Sequence, residues 1–150
     1  MTNDSDVRSR VRAFIFDEFM QRNHAPSAVE TAHALGLDSA LVRDTYRALA
    51  DGHIIVLQND GDILTANPYA AVPTPFVVET ARHAYNGICI WDALGVVANL
   101  GCDATVRTTC GDCSDGQALT LRAGKLTNAG GEIVHISVPA RHWWTNIVFS

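Results

Sequence analysis

An apolar run from Ile88 to Leu100, directly followed by Gly101, limits most strongly how this chain can fold. Asn86 and Gly87 interrupt the chain just before the run. A segment of this length that ends at a glycine is typical of a buried helix, and it is too short to span a membrane. We therefore predict a central helix at 88–100, around which the rest of the chain packs.

Two side chains that can carry chemistry lie near the start of this predicted helix. Cys89 and Asp92 are three residues apart and so share one helical face. Free backbone N–H groups and the helix dipole favour a thiolate in the first turn, and a carboxyl one turn on can exchange a proton with that sulfur. Cys89 and Asp92 are therefore the candidate catalytic pair. The alternative is a small buried cysteine and an aspartate that only complements the dipole.

Charge and size narrow the classes of function. The 150 residues are 47% hydrophobic, which suits one domain or two small ones with a real core. With 16 acidic and 11 basic side chains, the net charge is −5, which argues against a nucleic-acid or anionic-membrane partner. Residues 1–6 lack the basic and apolar regions of a signal peptide. We expect a cytoplasmic protein whose cysteines are free or metal-binding.

The first third of the chain carries the signals of three helices and a hairpin. Apolar residues recur at helical spacing in the segments 6–21, 27–35 and 38–51. Ser27 and Glu30 form a capping-box pattern. The third helix is expected to bury one face, made of Leu41, Val42, Tyr46 and Leu49. Strand-like runs at 53–57 and 63–65 flank an Asp-Gly turn, so the order predicts a winged helix-turn-helix module over residues 1–66.

The charge of this module argues against a role in reading DNA. Residues 1–66 contain six arginines and ten acidic residues, which gives a net charge of −4. Recognition elements in the major groove normally present basic and amide side chains, whereas the predicted wing tip carries Asp60 and Asp62. We interpret the module as structural or dimerising, so a homodimer is one expected assembly.

The remaining chain predicts a second unit built on a sheet. Residues 67–75 hold three of the five prolines and are interpreted as a connector between domains. Segment 76–85 alternates weakly and predicts one strand that leads into the central helix. Further strand patterns occur at 104–109, 118–121, 133–138 and in the apolar end of the chain. The predicted class is α+β, with a mainly antiparallel sheet in the domain 76–150.

Other residues with metal or redox chemistry give weaker signals. Cys110 and Cys113 form a C-x-x-C motif in a predicted hairpin turn. A zinc site there needs two further ligands, and a redox motif needs a strand–motif–helix context, so structural or incidental cysteines are favoured. His135 and His142 are expected to pack or to lie on the surface. Two of the three tryptophans are expected in the core.

In their order along the chain, these features resemble the organomercurial (alkylmercury) lyases. The resemblance covers most of the chain and rests on the winged-helix-like start, Val72-Pro73-Thr74, Cys89-x-x-Asp92-Ala93-Leu94, Thr109-Cys110, Val138-Pro139 and Trp143-Trp144. It implies cleavage of a carbon–mercury bond by protonolysis, without a cofactor. Carried over by position, it implies Cys89 as the attacking thiol and mercury ligand, Asp92 as the proton relay and a structural role for Cys110. Soft thiolates suit a soft metal ion.

The resemblance also implies a second mercury-binding cysteine. In the family it lies on the strand just beyond the segment that corresponds to 147–150, where this sequence ends, so the domain 76–150 is expected to lack its C-terminal end. Cys113 is the candidate substitute ligand, and the implied partner is a small organomercurial substrate. Two alternatives stay open: a non-catalytic protein that binds a soft metal ion through Cys89, Cys110 and Cys113, and a winged-helix metal-responsive regulator.

Overall fold

Three helices, an antiparallel sheet and a fourth helix make up the computed structural model, which describes residues 4–147. The helices are α1 (Asp4–Arg22), α2 (Ala28–Leu35), α3 (Ser39–Asp51) and α4 (Ile90–Leu100). The strands are β1 (Val56–Leu57), β2 (Ile63–Ala66), β3 (Tyr69–Ala70), β4 (Val77–Glu79), β5 (Ala84–Gly87), β6 (Ala104–Thr109), β7 (Gly116–Arg122) and β8 (Lys125–Leu126). A 3₁₀ helix covers Ala140–Thr145. The predicted α+β class is confirmed.

Local sequence signals fix the starts of α2 and α3. The Ser27 hydroxyl accepts a hydrogen bond from the N–H of Glu30 at 3.2 Å, while the N–H of Ser27 donates to the Glu30 carboxylate at 2.7 Å. This is the predicted capping box. The Asp38 carboxylate accepts from the N–H groups of Ala40 and Leu41 at the start of α3. Both helices therefore begin where the sequence predicts them.

The buried face of α3 differs from the predicted face at one position. The buried residues of this helix are Val42, Thr45, Tyr46 and Leu49. These positions follow the helical period, and the same period turns Leu41 away, so that it is 39% exposed. The prediction that Leu41 packs inward was wrong for this reason.

The strands of the described chain belong to one antiparallel sheet with the order β1-β2-β3-β5-β4-β6-β7-β8. The hairpin β1–β2 follows the three helices, as the sequence predicts. Strand β3 lies in the predicted connector, and it pairs with β2 on one side and β5 on the other. The hairpin and the connector therefore continue the sheet of the C-terminal half. The division of the chain into a winged-helix module at 1–66 and a separate domain at 76–150 stays a prediction.

Segment 76–85 forms two strands where the sequence predicted one. Strands β4 and β5 pair in antiparallel fashion, with Val78 opposite Tyr85. Between them, the Thr80 hydroxyl accepts hydrogen bonds from the N–H groups of Arg82 and His83. A threonine turn of this kind needs no glycine, proline or asparagine, which is why the reversal was missed.

No strand forms at 133–138, although the structure describes this segment and the sequence predicted one there. Ile133 is 90% exposed. The alternating pattern fits strand periodicity, but a strand also needs a neighbouring edge that offers backbone partners. Ala140–Thr145 form a 3₁₀ helix, and an apolar strand is predicted to follow it at the end of the chain. Its last residues, 148–150, lie outside the described residues.

Tyrosines, not tryptophans, fill the core between the helices and the sheet. The largest fully buried aromatic side chains are Tyr46, Tyr69, Tyr85 and Phe19. Phe19 of α1 stacks on Tyr69 of β3 with ring centroids 5.4 Å apart. Trp91 and Trp144 are exposed and Trp143 is half-buried, so the expectation of two core tryptophans was wrong. Trp91 lies outside the buried face of α4, and Trp143 and Trp144 lie in the 3₁₀ helix, which has no buried residue.

The hairpin β4–β5 binds the C-terminal end of α1. The Tyr85 hydroxyl donates to the carbonyl oxygen of Met20 at 2.8 Å, and the His83 ring Nε2 lies 3.0 Å from the carbonyl oxygen of Gln21. The last carbonyl groups of a helix have no partner within the helix. The β4–β5 side chains therefore satisfy carbonyl groups that α1 itself leaves open.

Helix α4 packs on the sheet against β3, β4, β5 and β6. Its buried residues are Ala93, Val96 and Val97. The predicted central helix is confirmed, but it begins at Ile90 and not at Ile88. Across residues 4–147, no helix combines the length and the apolar character that a membrane crossing requires.

Candidate functional site

Cys89 lies at the N-cap of α4, one residue before the helix begins. Its backbone is extended, and its carbonyl oxygen accepts the first helical hydrogen bond from the N–H of Ala93 at 2.9 Å. The Cys89 thiol donates to Oδ2 of Asp92 at 3.1 Å. The structure therefore brings the predicted pair into direct contact, although the cysteine precedes the first turn.

Close packing between β5 and α4 fixes the position of Cys89. Gly87 ends β5, and a Cβ atom there would lie 2.6 Å from the backbone nitrogen of Ala93. The N–H of Gly87 donates to the carbonyl oxygen of Phe76 at 2.9 Å, and its own carbonyl accepts from the Thr74 hydroxyl at 2.6 Å. A side chain at Gly87 would collide with the backbone of α4. The chain just before Cys89 is thus held on both sides.

Gly87→Ala is expected to push β5 and the start of α4 apart. Because the added methyl group meets backbone and not a flexible side chain, the free energy of unfolding should fall by about 1–3 kcal/mol. Denaturant unfolding measures the difference. Gly116→Ala is the matched control, since a Cβ atom at that strand position has no neighbour within 4 Å. Equal stability of the two variants would contradict this account of the packing.

Burial has the largest effect on the pKa values of Cys89 and Asp92. It raises the pKa of the Cys89 thiol, and it outweighs the backbone N–H groups of Asp92 and Trp91, which lower this pKa. The side chain of Asp92 raises the thiol pKa further. Burial also raises the pKa of Asp92, partly offset by hydrogen bonds from Cys89. The sequence predicted that the helix start favours a thiolate, whereas burial in the structure favours the neutral thiol.

Asp92→Asn is expected to stabilise the fold at neutral pH. The folded-state pKa of Asp92 lies above its ordinary value of 3.8, so folding takes up protons between these two values and the free energy of unfolding falls as the pH rises through that interval. Asparagine removes the buried charge and can still accept from Cys89. Unfolding at decreasing pH should show the gain in stability disappear in acid. The exposed Asp17→Asn on α1 serves as the control, and a gain that is independent of pH would contradict the assignment.

An apolar cavity of about 480 Å³ lies in front of Cys89 and Asp92. Its wall is mostly apolar and includes Phe76, Ile88, Ile90, Trp91, Leu119, Ile133, Val134, Ile136, Trp143 and Ile147. Two buried oxygen atoms of wall residues, Asn67 Oδ1 and Thr108 Oγ1, have no hydrogen-bond partner within the described part of the chain. A concave apolar site with few polar groups suits a small organic ligand.

Sequence reasoning missed most of this wall. The segment 132–137 lines the cavity without forming a strand, and Trp91 does so while 63% exposed. The one sequence signal for this wall was the position of Trp91 inside the Cys-x-x-Asp motif. His135 is exposed and also lines the cavity, while His142 is exposed and accepts a hydrogen bond from Arg141 at 3.0 Å. Both histidines thus lie on the surface, as expected.

The C-x-x-C motif forms the tip of the hairpin β6–β7, as predicted. The N–H of Cys110 donates to the carbonyl oxygen of Asp115 at 2.8 Å. The N–H of Ser114 donates to the carbonyl oxygen of Cys110 at 3.0 Å. Cys110 is half-buried and lines the cavity, whereas the exposed Cys113 does not line it. Within residues 4–147, no group of three or more His, Cys, Asp or Glu is arranged to hold a metal ion.

The two thiols of this turn differ in acidity. Backbone N–H groups of Cys113 and Asp112 lower the pKa of Cys110, and a hydrogen bond with the Cys113 side chain lowers it further. The N–H of Asp115 lowers the pKa of Cys113, but the side chains of Cys110 and Asp115 outweigh it, so this pKa is raised. Cys110 is therefore the thiol that ionises first.

Comparison with known proteins identifies the family. The model of the alkylmercury lyase family (MerB) matches residues 69–149, and a comparison with curated proteins found no match. Among solved structures, the chain is similar to the mercury-bound form of MerB2, with a TM-score of 0.65 and 20% identity. That similarity covers 81% of this chain and 58% of the MerB2 chain, and at this identity it shows the fold. Because the family model matches more than half of its residues, the chain belongs to the alkylmercury lyase family.

Proposed function

We propose that this protein cleaves the carbon–mercury bond of a small organomercurial by protonolysis, with Cys89 as the nucleophile and mercury ligand and Asp92 as the proton relay. The observation that carries the proposal is the hydrogen bond from the Cys89 thiol to Oδ2 of Asp92, 3.1 Å long, at the wall of an apolar cavity. A thiol binds mercury, a carboxylate takes its proton, and an apolar space takes the organic group.

The first step is capture of the substrate by Cys89. The thiol sulfur bonds to the mercury of R–Hg⁺, and its proton passes along the existing hydrogen bond to the Asp92 carboxylate. The products are Cys89–S–Hg–R and a neutral Asp92 carboxyl group. Burial raises the pKa of Asp92 and so strengthens the carboxylate as a base, and it also raises the pKa of the Cys89 thiol, so the thiol gives up its proton only as mercury bonds to its sulfur.

The second step breaks the carbon–mercury bond. The Asp92 carboxyl group gives its proton to the carbon atom, which leaves as the hydrocarbon R–H, while the bonding electron pair goes to the new C–H bond. Mercury stays as Hg(II) on the Cys89 sulfur, and Asp92 becomes a carboxylate again. No electron is gained or lost overall, so the reaction requires no redox cofactor.

The cavity wall supports the choice of an organic substrate. The side chains beside Cys89 include Phe76, Trp91 and Leu119, which offer apolar surface to an alkyl or aryl group. The half-buried position of Cys89 and Asp92 keeps the reacting proton away from bulk water. The volume of about 480 Å³ is within the range of small-molecule sites.

Incubation of the reduced protein with a simple organomercurial and excess small thiol tests this proposal. Hydrocarbon is measured by gas chromatography and Hg(II) by a chelating dye after acid release. We expect both products in equal amounts, at a rate well above that of the small thiol alone. Binding of the organomercurial without release of hydrocarbon would refute the lyase reaction and leave a capture protein.

A further inference from the structure

The tip of the hairpin β6–β7 brings two thiols together outside the Cys89–Asp92 pair. The N–H of Ser114 donates to the carbonyl oxygen of Cys110 at 3.0 Å and closes a helix-like turn, so that the side chains of Cys110 and Cys113, three residues apart, lie on one side of it. Cys110 faces the cavity and Cys113 is open to solvent. Two adjacent thiols on one rigid turn can act as a chelate, which a single cysteine cannot.

Backbone N–H groups of the turn favour negative charge on its sulfur atoms. Those of Cys113 and Asp112 lower the pKa of Cys110, and that of Asp115 acts in the same direction on Cys113, where the side chains of Cys110 and Asp115 outweigh it. Successive N–H groups that converge on one point stabilise negative charge, as they do around the sulfur ligands of bound metals. Two backbone hydrogen bonds hold the turn, one from the N–H of Cys110 to Asp115 and one from the N–H of Ser114 to Cys110. The turn therefore forms without a bound ligand.

We propose that Cys110 and Cys113 form a second soft-metal site, which binds inorganic Hg(II) through two thiolates. In the binding step, Hg²⁺ bonds to the sulfur atoms of Cys110 and Cys113 to give S–Hg–S, and the thiol protons are released to solvent. Mercury keeps its oxidation state. Two sulfur ligands suffice because Hg(II) forms linear bis-thiolate complexes, so the site requires no third ligand of the kind that a zinc centre needs.

The position of Cys110 gives this site a role beside the lyase reaction, and this role rests on the proposed function. Cys110 and Cys89 line the same cavity. The Hg(II) left on Cys89 can therefore pass to the dithiol: the Cys89–Hg bond breaks, two sulfur–mercury bonds form at Cys110 and Cys113, and of the two thiol protons one moves to the Cys89 sulfur and one to solvent. The exchange restores the Cys89 thiol for another substrate.

Two double variants with the same number of thiols test the dithiol site without the lyase. Cys89→Ser/Cys102→Ser keeps Cys110 and Cys113, whereas Cys89→Ser/Cys113→Ser keeps Cys110 and the exposed Cys102. Each reduced variant is loaded with one equivalent of mercuric chloride and titrated with a monothiol. The first should retain Hg(II) against monothiol concentrations on the order of 10²–10⁴-fold higher, which is the gain expected from a chelate. Circular dichroism checks that both are folded.

Loss of Hg(II) from both double variants at the same monothiol concentration would overturn the proposed site. The transfer is tested separately, by mass spectrometry of peptides from the parent after a single turnover. Hg(II) on the peptide that contains Cys110 and Cys113 supports the transfer, and Hg(II) on Cys89 alone overturns it. Absence of hydrocarbon from the parent, with Hg(II) retained by Cys89→Ser/Cys102→Ser, would refute the lyase reaction and leave the dithiol site established.

Discussion

Replacement of Cys89 by serine should abolish hydrocarbon release from an organomercurial. A hydroxyl group binds mercury far more weakly than a thiol, so the substrate is not captured beside Asp92. We expect the rate to fall on the order of 10³-fold or more, as it does when an enzyme loses its nucleophile. The measurement is hydrocarbon formation under single-turnover conditions. Serine is close to cysteine in size, and Cys89 is half-buried, so the fold should persist.

Cys102→Ser is the control for this variant. Cys102 is exposed in the turn after α4 and does not line the cavity, so its loss should leave the rate unchanged. A Cys89→Ser protein that still releases hydrocarbon at the parent rate would show that another group carries the reaction. Equal inactivation by both substitutions would indicate that general thiol loss, and not the site, is responsible.

Replacement of Asp92 by asparagine should separate capture from cleavage. The amide oxygen can still accept the hydrogen bond from Cys89, but the amide cannot carry the proton to the leaving carbon. Mercury capture by Cys89 should remain, while hydrocarbon release slows by about 10²–10⁴-fold, the usual contribution of a general acid. Capture is measured as the amount of protein-bound organomercurial, and cleavage as hydrocarbon from the same sample.

The two readouts decide the role of Asp92. Loss of capture and cleavage to the same degree would contradict the proton relay, because a purely structural aspartate would affect both steps together. Asp92→Asn is also the variant expected to be more stable than the parent at neutral pH. A variant that is more stable and less active rules out unfolding as the reason for the slow cleavage.

The parts of the fold that depend on nearby residues were predictable from the sequence. The capping box of Ser27 and Glu30 and the cap at Asp38 rest on contacts within four residues. The contact between Cys89 and Asp92 follows from their spacing of three, even though the helix begins only at Ile90. The hairpin tip that holds the C-x-x-C motif was likewise marked by its turn residues.

The parts that depend on distant residues were not predictable. The segment 133–138 has the alternation of a strand, but strand formation depends on a partner edge that the segment itself does not encode. The protonation of Cys89 depends on how much protein covers it, and burial here overrides the local effect of the helix start. The cavity wall combines residues from the connector, α4, β6, β7 and the 132–147 region, which no local pattern relates.

The bonds between α1 and the β4–β5 hairpin have a consequence for how this protein can be dissected. Tyr85 and His83 hold the end of α1, and Tyr85 lies four residues before Cys89 on the strand that leads to it. A fragment that starts after residue 66 would leave the rings of Tyr69 and Tyr85 without the cover of α1. The first helix is therefore needed to hold in place the strand that carries the chain to Cys89.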